Sequence, residues 1–75
     1  MFEEIKAILT EELDIDEELI TKEAQFIEDL KLNSLEVADL IVLCEEKYSI
    51  EIDEDDLHTL VSVGDLTAYL EKKVG

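Results

Sequence analysis

Apolar residues near the start of the chain recur three or four positions apart: Phe2, Ile5, Ile8, Leu9 and Leu13. That spacing draws one stripe along a helix and predicts an amphipathic helix over about residues 2–13. The period is then lost. Across residues 14–33 the apolar positions Ile15, Leu19, Ile20, Phe26, Ile27, Leu30 and Leu32 are scattered among polar ones. This segment reads as a long connection, with room for a short helical turn, held to the core by its apolar anchors. Connections of this length are uncommon in compact domains and often functional. The helical period returns from about Ser34 to Tyr48. Asn33 is a good N-cap and Glu36 stands three residues later, the spacing of a capping box. Asp53 begins a third, shorter helix with Leu57 and Leu60 as its apolar contacts. Ser62 and Asp65 form a second S-x-x-D box. It opens a last helix carrying Leu66, Tyr69, Leu70 and Val74, with Lys72 and Lys73 placed to favour its C-terminal dipole. Strand alternation is poor, and Ser49-Ile50-Glu51-Ile52 is too short to build a sheet. The expected fold is all-α: a four-helix bundle of three longer helices and one short one, with a long loop between helices one and two. Residues 1–75 form a single domain.

The second helix carries apolar residues on two sides. At about 100° per residue, Val37, Leu40, Ile41, Cys44 and Tyr48 share one broad face, the core side. Leu35, Ala38 and Val42 fall on another, flanked by Asp39, Glu45 and Glu46, with Ser34 at its N-terminal end. Two readings stand at this level. A helix in a small bundle can bury both faces. Alternatively, the second strip is exposed and serves as a docking surface, its apolar centre giving affinity and its charged rim orientation.

Charge narrows the partners. The chain has 22 acidic residues against 6 lysines, no arginine, and a net charge of −16 spread along its length. Nucleic acid is excluded as a natural partner, because its phosphates would be repelled. Basic protein surfaces are favoured, and their approach is steered and salt-sensitive. The hydrophobic share of 47%, arranged with helical spacing, argues against a disordered acidic chain. Seventy-five residues make a thin core of marginal stability. One cysteine allows no internal disulfide and fits a reducing compartment. The start, Met1-Phe2-Glu3-Glu4, lacks the basic and apolar regions of a signal peptide. No apolar run approaches the ~20 residues of a membrane span. A soluble, cytoplasmic monomer is expected.

Side-chain chemistry is sparse. His58 is the single histidine and sits on an acidic helix with no nucleophile near it in sequence. Cys44 falls on the core face, as a small buried hydrophobe does. Asp14, Asp16 and Glu18 resemble the opening of an EF-hand loop. Leu19 stands where that loop needs glycine and Gln25 where it needs glutamate, so the motif fails. Asp53-Glu54-Asp55-Asp56 could hold a divalent ion only loosely, so no metal site is expected. Ser34 has no evident general base, which argues against an enzyme acting through it. A reactive group would have to be added to it. A serine hydroxyl can be joined to phosphate in a stable diester, and a long arm ending in a thiol could then carry an acyl group.

The run Phe26-Ile27-Glu28-Asp29-Leu30-Lys31-Leu32-Asn33-Ser34-Leu35-Glu36 resembles the 4′-phosphopantetheine attachment motif of acyl carrier proteins. That motif reads phenylalanine, two variable residues, an acidic residue, leucine, glycine, a variable residue, then Asp-Ser-Leu. The likeness extends along essentially the whole chain, through Glu45-Glu46, Ile50-Glu51-Ile52 and Val63-Gly64-Asp65-Leu66. The resemblance implies a four-helix carrier fold. It implies that Ser34 receives covalent 4′-phosphopantetheine from coenzyme A through a Mg²⁺-dependent phosphopantetheinyl transferase. It also implies that acyl chains ride on the arm's thiol to synthase enzymes with basic docking surfaces, most simply in type II fatty acid biosynthesis. Carried over by position, Leu35, Glu36, Asp39, Val42, Glu45 and Glu46 face partners, and Leu40, Cys44, Tyr48, Leu57 and Leu66 form the interior that shelters an acyl chain. Asn33 occupies the partner-facing position of the family's aspartate; it keeps the cap and drops the charge. Lys31 stands where glycine is usual, and Asp53 where proline is common. A specialised carrier for polyketides, peptides or D-alanine, or a non-carrier interaction module, remain alternatives at this level.

Overall fold

The computed structural model describes residues 1–74 and contains three α-helices: α1 (Phe2–Glu12), α2 (Ser34–Tyr48) and α3 (Val63–Val74). Two 3-10 helices, Glu17–Leu19 and Glu54–Thr59, lie in the connections. The expected all-α bundle is present, with a short helical turn in the long loop. The fourth, short helix is 3-10 instead of α. Its first turn holds Glu54, Asp55 and Asp56, and Asp53 gives it no side-chain cap. A missing cap and the lack of any fully buried side chain in the segment leave little to favour a regular α turn.

The packing follows the apolar stripes. Ile5 and Leu9 of α1, Leu40, Ile41 and Cys44 of α2, and Val63, Leu66 and Leu70 of α3 are buried together. α1 packs against both α2 and α3. Thr67 is the one buried polar side chain among the described residues, and its hydroxyl donates to the Val63 carbonyl at 2.8 Å. Buried polar groups persist where such a partner exists.

The long connection is tied down along most of its length. Ile20, Ala24, Phe26, Leu30 and Leu32 are buried in the same core. Leu19 and Ile27, expected as anchors, are instead 54% and 57% exposed. Backbone bonds seam the loop to the start of α3. Phe26 N–H donates to Val61 O at 3.0 Å, Val63 N–H to Ala24 O at 2.9 Å and Gly64 N–H to Lys22 O at 2.8 Å. One antiparallel bridge, Gln25 with Ser62, lies between them. Gly64 is required by this close approach, since a Cβ there would sit 2.8 Å from the Lys22 carbonyl oxygen. The S-x-x-D box of α3 forms as read: Asp65 N–H donates to Ser62 Oγ and Ser62 N–H to Asp65 Oδ2.

Candidate functional site

α2 begins at Ser34 because a reciprocal cap across Asn33 and Glu36 closes its first turn. Asn33 Oδ1 accepts from Glu36 N–H at 2.9 Å, and Glu36 Oε1 accepts from Asn33 N–H at 3.1 Å. This is the complete capping box. Val37 N–H donates to the Asn33 carbonyl. The amides of Ser34 and Leu35 have no acceptor within the helix, as in any first turn. The preceding turn is closed by Leu30 N–H to Gln25 O and Leu32 N–H to Phe26 O, and by Gln25 N–H to Asp29 Oδ2 at 2.7 Å. Within it Lys31 has φ 60°, the left-handed region that glycine enters without cost. The side chain at Lys31 therefore strains the turn that delivers Ser34, by about 1 kcal/mol.

Ser34 is exposed, and its hydroxyl takes part in no side-chain hydrogen bond among the described residues. A hydroxyl at a helix N-terminus, beside free amides and the positive end of the dipole, suits a phosphodiester. The donor chemistry of this end of α2 therefore fits a phosphate-linked group. Asn33 holds the box without a charge of its own. The carboxylate next to the site is that of Glu36, half-buried and engaged in the cap.

The two apolar sides of α2 have different fates. Leu40, Ile41 and Cys44 are buried, while Val37 and Tyr48 are half-buried against them. Leu35 is 78% exposed and Val42 50%, with Ala38 exposed between them. The second strip lies on the surface. Asp39 and Glu46 are exposed beside it. Glu45 is half-buried, and its Oε2 accepts from Ile52 N–H at 2.7 Å, so part of its carboxylate is spent holding the chain after α2.

A cleft of about 320 Å³ opens between the N-terminal half of α2, the long loop and the second 3-10 helix. Phe26, Ile27 and Glu28 line one side, Val37 another, and Leu57, Leu60 and Val61 the third. Val37 is one turn after Ser34 on the same helix, so the mouth is within a turn of the serine. Of the sequence-derived interior set, only Leu57 lines this cleft. Leu40, Cys44 and Leu66 are fully buried in the core. Tyr48 sits at the other end of α2, where its hydroxyl donates to Glu4 Oε2 at 2.8 Å. Sequence reasoning missed Phe26, Ile27, Leu60 and Val61 as cleft residues. Phe26 and Ile27 were among the apolar anchors of the long loop and Leu60 among the contacts of the short helix, but no period says which of them meet.

The titrating groups are structural. Burial pushes the Cys44 thiol up to about 11, with Lys47 opposing and Glu45 adding a smaller push. Tyr48 is raised by burial and by its bond to Glu4, and that same bond lowers Glu4. Among the described residues, no three histidine, cysteine or acidic side chains gather to hold a metal, and no helix is long and apolar enough to cross a membrane.

Comparison with known proteins decides the family. Residues 3–70 match the model for the phosphopantetheine attachment site. The chain belongs to the phosphopantetheine-binding acyl carrier family. It is 39% identical over 75 residues to the acyl carrier protein of Thermotoga maritima, spanning 100% of this chain and 93% of that one. It is 44% identical over 71 residues to the acyl carrier protein of Helicobacter acinonychis, and 42% to that of Helicobacter pylori, covering 95% of this chain and 91% of each relative. An acyl carrier of this family bears a covalent 4′-phosphopantetheine group.

Proposed function

We propose that Ser34 is the attachment serine and that the carrier serves type II fatty acid biosynthesis. The observation that carries the reading is an exposed, unengaged hydroxyl at the capped start of α2, in a chain matched to the attachment family over residues 3–70. In the transfer, Ser34 Oγ bonds to the phosphorus of coenzyme A that bears the pantetheine. The pyrophosphate bond breaks, adenosine 3′,5′-bisphosphate leaves, and the hydroxyl proton passes to a base of the transferase. When attached, the group supplies a thiol for thioester linkage of acyl chains.

The chain's own residues do the positioning. The Asn33–Glu36 box fixes the first turn of α2 and hence the direction of the serine. Leu35, Ala38 and Val42 offer an apolar strip, and Asp39 and Glu46 an acidic rim, to basic surfaces of the transferase and of acyl-processing synthases. The cleft beyond Val37 takes the first carbons of an acyl chain among Phe26, Leu57 and Leu60, at a gain of about 0.8 kcal/mol per buried methylene. The protein works as a single cytoplasmic carrier domain and a monomer.

Intact mass after incubation with a phosphopantetheinyl transferase and coenzyme A tests the proposal. One phosphopantetheine adduct is expected, absent in Ser34→Ala. An adduct that persists in Ser34→Ala, or none in the wild type with excess transferase, overturns the assignment. Loading by a malonyl transferase, and not by aminoacyl-loading enzymes, is the expected sign of the fatty acid pathway.

A further inference from the structure

The second 3-10 helix forms one wall of the cleft, and its attachment to the rest of the molecule is uneven. Both ends are fixed. Before it, Ile52 is buried and its N–H donates to Glu45 Oε2 at 2.7 Å. After it, Leu60 is buried and the Val61 carbonyl accepts from Phe26 N–H at 3.0 Å. The six residues between, Glu54–Thr59, include none that is fully buried. Open space lies on both flanks. On one side is the cleft of about 320 Å³, touched by Leu57. On the other is a gap of about 510 Å³ between this segment and the end of α3, bordered by Asp56, Thr59, Tyr69 and Lys73. Among the described residues one side-chain bond crosses that gap: Tyr69 Oη donates to Asp56 Oδ2 at 2.7 Å. The Thr59 hydroxyl turns back onto the Asp56 carbonyl and ties nothing across. Lys73 Nζ lies over the Tyr69 ring, 5.6 Å from its centroid.

We infer that the Tyr69–Asp56 hydrogen bond sets how far this wall can yield, and so the longest acyl chain the carrier shelters. The inference rests on the proposed function, since it takes the cleft as the acyl site. A chain longer than the closed cleft holds must push Leu57 outward. The ends of the segment stay fixed, so the middle must shift, and it cannot shift without displacing Asp56 from Tyr69 Oη; the bond between them sets the resistance. A hydrogen bond to a charged acceptor shifts such an equilibrium by roughly tenfold. Tyr69 touches no cleft atom; it is a positioning residue acting through the 3-10 segment.

The test uses holo-protein loaded at Ser34 with saturated acyl chains lengthened two carbons at a time. Thioester hydrolysis and thermal midpoint are measured for each length. In the wild type, protection rises with length and then levels off. In Tyr69→Phe, which keeps the ring, the plateau moves to longer chains, and chains beyond the wild-type limit hydrolyse about tenfold more slowly than on the wild type. Asp56→Asn keeps an acceptor and holds the plateau near the wild-type length, whereas Asp56→Ala moves it as Tyr69→Phe does. Ile8→Ala, on α1, lowers the midpoint at every length without moving the plateau. The same plateau in wild type and Tyr69→Phe overturns the latch while leaving the carrier reading intact. A plateau moved equally by Ile8→Ala overturns it as mere loosening. No protection at any length in the wild type overturns the cleft assignment and the latch together.

Discussion

The two long connections of this bundle reach opposite solutions to the same problem. Residues 14–33, the longer stretch, bury five apolar side chains and stitch their backbone to the start of α3 through Phe26, Val63 and Gly64. Residues 49–62 bury only Ile52 and Leu60, one at each end of a 3-10 turn crowded with carboxylates. The difference teaches that anchoring, not length, decides how firmly a connection is held. Each apolar side chain taken from water offsets the ordering cost of its neighbours, and the second connection has too few to order its middle. The rigid connection delivers Ser34, and the lightly held one walls the cleft beside it.

Truncating one apolar side chain in each connection should break the comparison most visibly. Phe26→Ala removes a side chain that is 1% exposed and should cost about 3–5 kcal/mol. A domain of this size holds on the order of 5 kcal/mol in total, so the variant should be largely unfolded by circular dichroism. Leu57→Ala, on the half-buried wall, should cost about 1 kcal/mol by urea denaturation. Equal losses would show that the two connections are equally anchored. Next in size, Gly64→Ala drives a Cβ against the Lys22 carbonyl and should cost about 1–3 kcal/mol. Hydrogen exchange should then rise at Phe26 and Val63 before it rises in α2. A neutral outcome would mean that the seam between loop and α3 yields freely.

The smallest effect lies in the pH dependence. Cys44, on the packed side, is raised from 9.0 to about 11 because burial opposes the thiolate. A raised pKa means that the fold favours the protonated form. Its contribution is whole below pH 9 and is lost as pH rises through about 11. Tyr48, also raised, adds loss on the same alkaline side. Glu4 is lowered by the Tyr48 hydroxyl, so its contribution is present above the ordinary value of 4.5 and falls away in acid. Stability should be flat with respect to these groups near neutrality. Cys44 should alkylate at pH 8 about a hundredfold more slowly than a free thiol. Alkylation at the free-thiol rate would mean that α2 opens as readily as the wall.

Much of the site was legible because it is local. Asn33 and Glu36 stand at capping-box spacing, and the box forms. The wheel separated Leu40, Ile41 and Cys44 from Leu35, Ala38 and Val42, and burial follows that division. The cleft was legible only at Leu57. Its other walls come from loop anchors whose partners lie some thirty residues away, as Phe26 meets Val61. Leu19 and Ile27 misled for the same reason, since an apolar residue in an aperiodic loop has no face until the loop is docked. The 3-10 form of the short helix also escaped notice; it reflects a missing cap and the lack of a fully buried face, neither of which a pair of leucines reports.

By itself the sequence determined the three longer helices, the caps at Asn33 and Ser62, the two apolar sides of α2 and the family motif around Ser34, because each depends on residues within a few positions of one another; that the second side of α2 is exposed was decided by the packing. Only the tertiary structure decided which side chains face the cleft, that Glu45 reaches back to Ile52, and that Tyr69 reaches Asp56. Those pairings join separate elements across turns, and their geometry exists only once α1, α2 and α3 have packed around a common core.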